Sequence, residues 1–454
     1  MKIAIVGSGI SGLAAAHALH GQADITLFEA GNYFGGHTHT VDITLPTSQG
    51  SLTHGVDTGF LVFNERTYPE LIKLFAALDV KTSKSDMSFS VQAAGTRPGQ
   101  PLEWSGSTLN TVFAQRGNLL NPRFLRMLRD VLRFNKLATG IAEHGVEADL
   151  MQPLQQWLTQ ERFSAEFRDW YLLPMLGCIW SCPTDQMLQF PVATMIRFCH
   201  NHGLIQVTNR PQWWTVDGGA RHYVNKIIAR IRDKRLNTPV QRIERDAHGV
   251  RLTSRGQTEH FDKLVLACHS DQALALLAHP TAQERATLGA IRYQPNRAVL
   301  HTDTSVLPKN QRAWAAWNYQ RPAAATAATP GAKANSQQRN PQSAKQHNSP
   351  RTDPNSNAVC LHYLLNRLQP LPFAQPVLVS LNPITDIDTA QVHGVFDYAH
   401  PVFDVAAINA QRQVGGLQGL QHTYFCGAWT GYGFHEDGLK SGLAVAQLLQ
   451  AGYL

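Results

Sequence analysis

The sequence predicts an α/β protein built on a parallel sheet, with a second α+β unit interleaved into it, and three stretches carry that expectation. Residues 2–29 pass from a short apolar segment through a glycine-rich turn and an Ala/Leu-rich segment to a second apolar segment. Residues 261–268, FDKLVLAC, add another apolar run of strand length. Residues 424–446 repeat the order strand, glycine-rich loop, helix near the end of the 454-residue chain.

The first stretch is the most specific. Ile3 to Val6 reads as a buried parallel strand, Gly7-Ser8-Gly9-Ile10-Ser11-Gly12 as the turn, and the residues to His20 as a helix that Gly21 can stop. Ile25 to Phe28 forms the next strand and ends on Glu29. A glycine-rich turn alone occurs in any α/β domain, but here strand, turn, helix, strand and acid stand in register, as a dinucleotide site requires. Gly7 makes the tight turn, Gly9 lets backbone approach a pyrophosphate, and Gly12, after Ser11, lets the helix pack close to the strand. The helix N-terminus offers free N–H groups to the phosphates. Glu29 is placed for a ribose hydroxyl and would repel a 2′-phosphate, which argues against NADP. Gly35-Gly36 follow a few residues later, an extension found more in FAD enzymes than in NAD enzymes. With that pair the stretch resembles the flavin-containing amine oxidase superfamily, which usually has a basic residue next, where this chain has His37.

Bulk properties bound the rest. The length allows two or three domains, and the net charge of +7 permits attraction to anionic lipid or nucleic acid without requiring either. No zinc-finger, RRM-like or KH-like pattern occurs, so nucleic acid is not expected as a partner. The first strand begins at Lys2 with no apolar segment ahead of it, and no apolar run approaches the ~20 residues that span a bilayer. The six cysteines are scattered; Cys178 and Cys182 form the only close pair, which fits buried thiols rather than a metal site or a disulfide framework. A cytoplasmic protein is expected, with no metal.

Taken in order, residues 65 to 80 predict a helix with Tyr68, Leu71, Leu74, Phe75 and Leu78 on one face. Past residue 82 the short strands SFSVQ and LEWSGS mark departure into a second unit. Pro122 to Ala138 is an amphipathic helix: Arg123, Arg126, Arg129, Arg133 and Lys136 share one arc, with Phe124, Leu125, Met127, Leu128, Val131, Leu132 and Phe134 opposite. Such a helix can lie on an anionic membrane, giving a peripheral contact, or can simply bury one face and solvate the other. Residues 153 to 200 are rich in aromatics, most of them core, some able to line an apolar tunnel. Leu236 to Ile243, Val250 to Thr253 and Phe261 to Cys268 read as strands. Residues 322 to 358 have no aromatics and no apolar period and should be a disordered insert between two strands of one sheet, Trp314 to Tyr319 and Val359 to Leu365.

The resemblance adds residues by position. It implies that Gly59, in the Gly55 to Gly59 strand, lies near the flavin ring, that Trp213 to Gly219 returns the chain to the cofactor unit, and that Val240 makes backbone contacts to the adenine. It implies that the loop after Cys426-Gly427 runs along the ribityl chain, and that the helix opening near Asp437 points its N-terminus at the flavin through Gly438 and Leu439. The family's usual acid two residues after the glycine is Trp429 here, and no cysteine occupies the position of covalent attachment, so non-covalent FAD is implied. Amine oxidases often carry a lysine in the strand Tyr293 to Leu300; this chain has Arg297, which can anchor an anion or stabilise a reduced flavin, or can be a surface arginine. The fold implied is a Rossmann-like FAD-binding domain of the two-dinucleotide-binding-flavoprotein type, made of 1–81, 215–290 and 415–454. The substrate domain is then 82–214 with 291–414.

No Ser/His/Asp triad or paired carboxylates are apparent, so the chemistry falls to the flavin. His435 and Glu436, in the cofactor loop, are candidates for proton transfer or for holding the loop's shape, and Trp429, Tyr432 and Phe434 for an aromatic wall. The segments DTGFLVFNERTYPEL, SDMSFSV, IRFCHNHGL, ACHSDQALALL, IRYQPNRAVLHTD and FCGAWTGYGFHEDGL resemble a bacterial amine-oxidase-like subgroup of the superfamily. That subgroup is similar to the N-terminal domain of plant cyclopropane fatty-acid synthases and to the flavin desaturase of methylated phospholipid acyl chains. It implies an FAD-dependent oxidoreductase that removes hydride from a C–H bond of a lipid acyl chain. The alternatives are an amine oxidase on a small amine or amino acid, and a flavoprotein partner of a lipid methyltransferase without turnover of its own.

Overall fold

The computed structural model describes residues 1–48, 50–97, 100–145, 151–206, 210–321 and 359–452. Its centre is a five-stranded parallel sheet in the order Asp233–Arg235, Asp24–Phe28, Lys2–Val6, Lys263–Leu266, Thr423–Phe425. In Lys2–Val6 and Asp24–Phe28 every residue after the first is buried, as expected of parallel strands covered on both faces. The helix Ile10–Leu19 follows the first strand and is thin, built largely of Ala, Ser and Gly. That thinness lets it pack tightly against the C-terminal helix His435–Ala451; a Cβ on Gly442 would fall 2.1 Å from the Ser11 carbonyl oxygen. A three-stranded antiparallel meander, Val240–Asp246, Gly249–Ser254 and Gln257–Phe261, flanks the parallel sheet.

A seven-stranded mixed sheet runs in the order Val392–Val402, Arg292–His301, Leu378–Leu381, Cys360–Leu364, Trp317–Gln320, Phe89–Arg97, Gln100–Ser105. Its strands come from 89–105 and 292–402, those of the parallel sheet from 2–28, 233–266 and 423–425. A small sheet of Phe63–Asn64, Trp213–Val216 and Thr82–Ser85 stands where the chain crosses from one set of segments to the other. The strands either side of 322–358 pair antiparallel, Trp317 with Tyr363 through Gln320 with Cys360; the insert itself lies outside the described residues. Helices between 122 and 201 bury the aromatic stretch, with Phe134 against Trp157, Phe163 and Phe167.

Several boundaries differ from expectation for local reasons. Leu236 to Pro239 is a turn, not a strand, with Asn237 at φ +51 and Thr238 N–H donating to the Glu29 carbonyl at 2.7 Å. Phe261 to Cys268 divides at Asp262, because Phe261 closes the meander and Lys263 opens the parallel strand. The helix expected over 65–80 is Pro69–Ala77, with Tyr68, Leu71, Leu74, Phe75 and Leu78 all buried as the periodicity requires. The amphipathic helix runs on to His144; Phe124, Met127 and Phe134 face inward, while Leu125 and Leu132 do not.

Candidate cofactor cleft

The glycine-rich turn sits at the C-terminal edge of the parallel sheet. A Cβ on Gly12 would lie 1.9 Å from the Gly7 carbonyl oxygen, so only glycine lets the helix start this close to the strand. Gly9 precedes the helix without any side-chain cap, and the space beyond its Cα is open. The orphan N–H groups of the first turn therefore face an open cradle. Gly36, at φ +59, crosses directly over Gly9, where a Cβ would come 3.0 Å from the Gly9 Cα. Ser8 joins the pieces: its Oγ donates to Glu29 Oε2 at 2.5 Å and accepts from Gly35 N–H at 3.1 Å. Glu29 also accepts from Gly31 N–H at 2.7 Å, which orients the carboxylate at the strand tip and leaves it acceptor capacity for a ribose. Val240, half-buried, begins the strand just after the turn that bonds Glu29.

His37 follows the glycine pair. Its backbone presses on Gly59, where a Cβ would meet the His37 carbonyl oxygen at 2.2 Å. The His37 ring lies 5.0 Å from Tyr398, 5.2 Å from His400 and 6.4 Å from His269, centre to centre. Its Nε2 is buried with no partner among the described residues. Burial holds its pKa well below the usual histidine range and that of His400 down to about 4, so both rings are neutral at neutral pH. An unmatched buried ring nitrogen, a donor when Nε2 carries the proton, beside an open glycine cradle and an uncapped helix is what a dinucleotide pyrophosphate would satisfy.

The wall opposite comes from paired strands of the seven-stranded sheet. Cross-strand partners share a face, so Gln294 with His400, Asn296 with Tyr398 and Ala298 with Phe396 look one way. Tyr398 OH bonds Thr58 Oγ1 at 2.7 Å, Phe396 packs edge-on against His39, and Asn296 Nδ2 reaches His400 Nδ1 at 2.8 Å. Arg297 belongs to the other face. It is exposed opposite Asp397, also exposed, so the surface role is the one it fills and a place beside the flavin is withdrawn.

The C-terminal loop closes the cleft. Gly427 N–H donates to Ser441 Oγ at 2.9 Å, and Gly438 abuts Ile10 and Ser11, so the two helices begin side by side; Leu439 next to it is buried. His435 opens the second helix, stacked on Phe60 at 3.8 Å, with its Nε2 2.7 Å from Tyr223 OH and 3.2 Å from Thr38 Oγ1. Burial drives its pKa down to about 3, which leaves a neutral ring held by two hydroxyls. Glu436 turns away from the cleft. Its carboxylate accepts from the N–H groups of Glu70 and Leu71, each at 3.0 Å, and pairs with Lys440 at 3.2 Å. It therefore caps the helix Pro69–Ala77, whose own Tyr68 supplies no side-chain cap, and proton transfer by Glu436 is withdrawn. Trp429 is buried in the core beside the sheet and donates from Nε1 to the Cys268 carbonyl at 3.1 Å, so its ring braces the loop and forms no wall of the cleft. Phe434 does join an aromatic run, stacked on Phe198 at 4.6 Å with Trp180 at 6.5 Å, and Trp180 Nε1 donates to the Tyr432 carbonyl.

The cleft thus gathers Gly7, Gly9, Ser11, Gly12, Glu29, Gly36, His37, Gly59, Gly427, Gly438 and Leu439 from both ends of the chain. The model of the family described as flavin containing amine oxidoreductase matches residues 10–450. The chain belongs to this family. FAD is its cofactor, and it is an FAD-dependent oxidoreductase. No curated protein matches it. Solved structures that share the fold include a CLA-producing fatty acid isomerase from P. acnes, at 14% identity over 100% of this chain and 98% of that one, TM-score 0.60. Wild-type putrescine oxidase bound to putrescine is 14% identical over 99% of both chains, TM-score 0.64. Cyclohexylamine oxidase from Brevibacterium oxydans IH-35A is 16% identical over 99% of both, TM-score 0.62. Tyr398, His400, Asn296 and His269 went unread in the sequence. The alternation in Val392–Val402, which puts Phe396, Tyr398 and His400 on one face, is the signal that could have found the first two.

Proposed function

We propose that the enzyme removes hydride from a C–H bond of an apolar substrate, a phospholipid acyl chain, with FAD held non-covalently. The observation that carries this reading is the aromatic run Trp180, Phe198 and Phe434, which ends at the residue preceding the cofactor helix. Bound in the cleft, the flavin supplies a two-electron acceptor. The protein's own groups do the rest. The uncapped turn at Gly9 and His37 hold the phosphates, Glu29 the ribose, and the start of the His435–Ala451 helix favours negative charge beside it. Neutral His435, pinned by Tyr223 and Thr38, adds no charge of its own at this end of the cleft, which suits a hydrocarbon chain.

A small amine is the second reading, favoured by the fold shared with putrescine and cyclohexylamine oxidases, just as the shared fold of the fatty acid isomerase favours a lipid. The deciding experiment follows the visible spectrum of the holoenzyme without oxygen. Bleaching by detergent-solubilised phospholipid but not by a panel of amines is the expected result. Bleaching by an amine alone would establish the second reading. Bleaching by neither would point to a flavoprotein that supports a lipid methyltransferase.

A further inference from the structure

Ten large hydrophobic side chains stand exposed among the described residues, and five of them lie between 109 and 132. They are Leu109, Leu119, Leu120, Leu125 and Leu132, at 78%, 50%, 89%, 43% and 63% exposure. Two sit on the amphipathic helix in a single stripe with cations, Leu125, Arg129, Leu132, Lys136, at spacings that bring each above the last. Leu119 and Leu120 form the turn that leads into that helix, and Leu109 starts the short helix Leu109–Val112 before it.

The charge along this stretch is predominantly basic. From 104 to 142 the chain carries Arg116, Arg123, Arg126, Arg129, Arg133 and Lys136, and its only acid is Asp130. Asp130 is buried, accepting Ser164 N–H at 3.0 Å and facing Arg133 at 3.5 Å. Glu166, from the neighbouring helix, takes Arg123 at 2.6 Å and Arg126 at 3.9 Å. Arg129 and Lys136 are exposed and have no ion-pair partner among the described residues. A solvated basic face has no use for five leucines, and a purely apolar docking face has no use for the cations. An anionic bilayer surface uses both, taking leucine into the acyl boundary and guanidinium or ammonium at the phosphates.

We propose that residues 109–136 form a docking face for an anionic lipid bilayer. The inward side of the same helix packs on the helix Val192–Asn201, whose Phe198 stacks on Phe434, so the face stands one helix away from the aromatic run. Docking is a property of the surface and goes beyond the reading of the reaction. The two fail separately, since solubilised lipid tests the substrate without any surface.

The test is sedimentation of the full-length holoenzyme with vesicles of phosphatidylglycerol mixed into phosphatidylcholine, and with phosphatidylcholine alone. Binding is expected to the anionic vesicles only, and to weaken at high salt. Arg129→Gln with Lys136→Gln should weaken it about 25-fold, near fivefold for each cation. Leu120→Asn with Leu132→Asn should weaken it about tenfold or more. These four side chains are exposed, and unchanged flavin absorbance will show that the variants fold. Absence of vesicle binding, or full binding by both double variants, would overturn the proposal. So would self-association abolished by the leucine changes without vesicle binding, which would assign the face to a second copy. Equal binding to duplex DNA, insensitive to the leucines, would assign it to any polyanion and overturn it too.

Discussion

Side chains alternate along a strand, so the step from Asn296 to Arg297 is the step from the cleft wall to solvent. Arg297→Ala should leave the flavin spectrum and the anaerobic reduction rate within about twofold of the parent, as surface changes usually do. Stopped-flow reduction checks this, and a tenfold drop would return Arg297 to the site. His37 is the opposite case, an imidazole whose buried Nε2 has no partner from the described chain. A hydrogen bond to a charged group contributes about 1.5–3 kcal/mol, so His37→Ala should weaken FAD retention roughly 10- to 100-fold. His37→Arg, carrying the family's basic residue, should retain it. Ultrafiltration of the holoenzyme followed by flavin absorbance in the filtrate measures both, and an unaltered His37→Ala protein would remove His37 from the phosphates.

Two of the helices whose N-termini meet the cleft or its supports are completed differently. The Ile10–Leu19 helix is left open at Gly9, which keeps its N–H groups for a ligand. The Pro69–Ala77 helix is closed by the carboxylate of Glu436, distant in sequence. Removing a cap usually costs about 0.5–2 kcal/mol. Glu436→Ala should therefore lower unfolding stability by about 1–2 kcal/mol, measured by urea denaturation, with the flavin reduction rate unchanged once the protein is folded. Glu436→Gln, which keeps an acceptor, should fall between. A slowed reduction at parental stability in Glu436→Gln would restore a chemical role to that carboxylate.

Across the molecule, buried histidines outweigh buried acids in setting the response to pH. Burial lowers His202 to about 4, His362 to about 3 and His301 to about 4; the last two share Ser380 Oγ, at 2.7 and 2.6 Å. Each folded pKa lies below the unfolded value, so the unfolded chain binds more protons below pH ~6.5, and stability falls as pH drops from there toward 4. Asp57 and Asp437 act in the opposite sense, because burial raises both to about 6, and each favours folding more as it protonates. With more histidines than aspartates, the melting temperature should decline steadily between pH 6.5 and 4. A thermal series over that range checks the sign, and a rising midpoint would mean the aspartates dominate.

The cofactor half of this protein was written in local sequence. Gly7, Gly12 and Gly36 act through backbone geometry that only glycine tolerates, Gly9 through the space it leaves open and Glu29 as an acid at a strand tip, and all these demands show as spacing. The parallel strands and the Pro69–Ala77 helix were equally legible, since burial on two faces or one imposes its period on the residues. What only the tertiary structure decided is the fate of side chains whose partners lie far along the chain. Glu436 caps a helix some 366 residues away, Trp429 reaches Cys268 across 161, and Tyr398 meets Thr58 across 340. No local pattern encodes such pairings. Packing of the two sheets against the paired helices sets them, and it sends Arg297 to solvent and leaves His37 in the cleft with a hydrogen bond still to make.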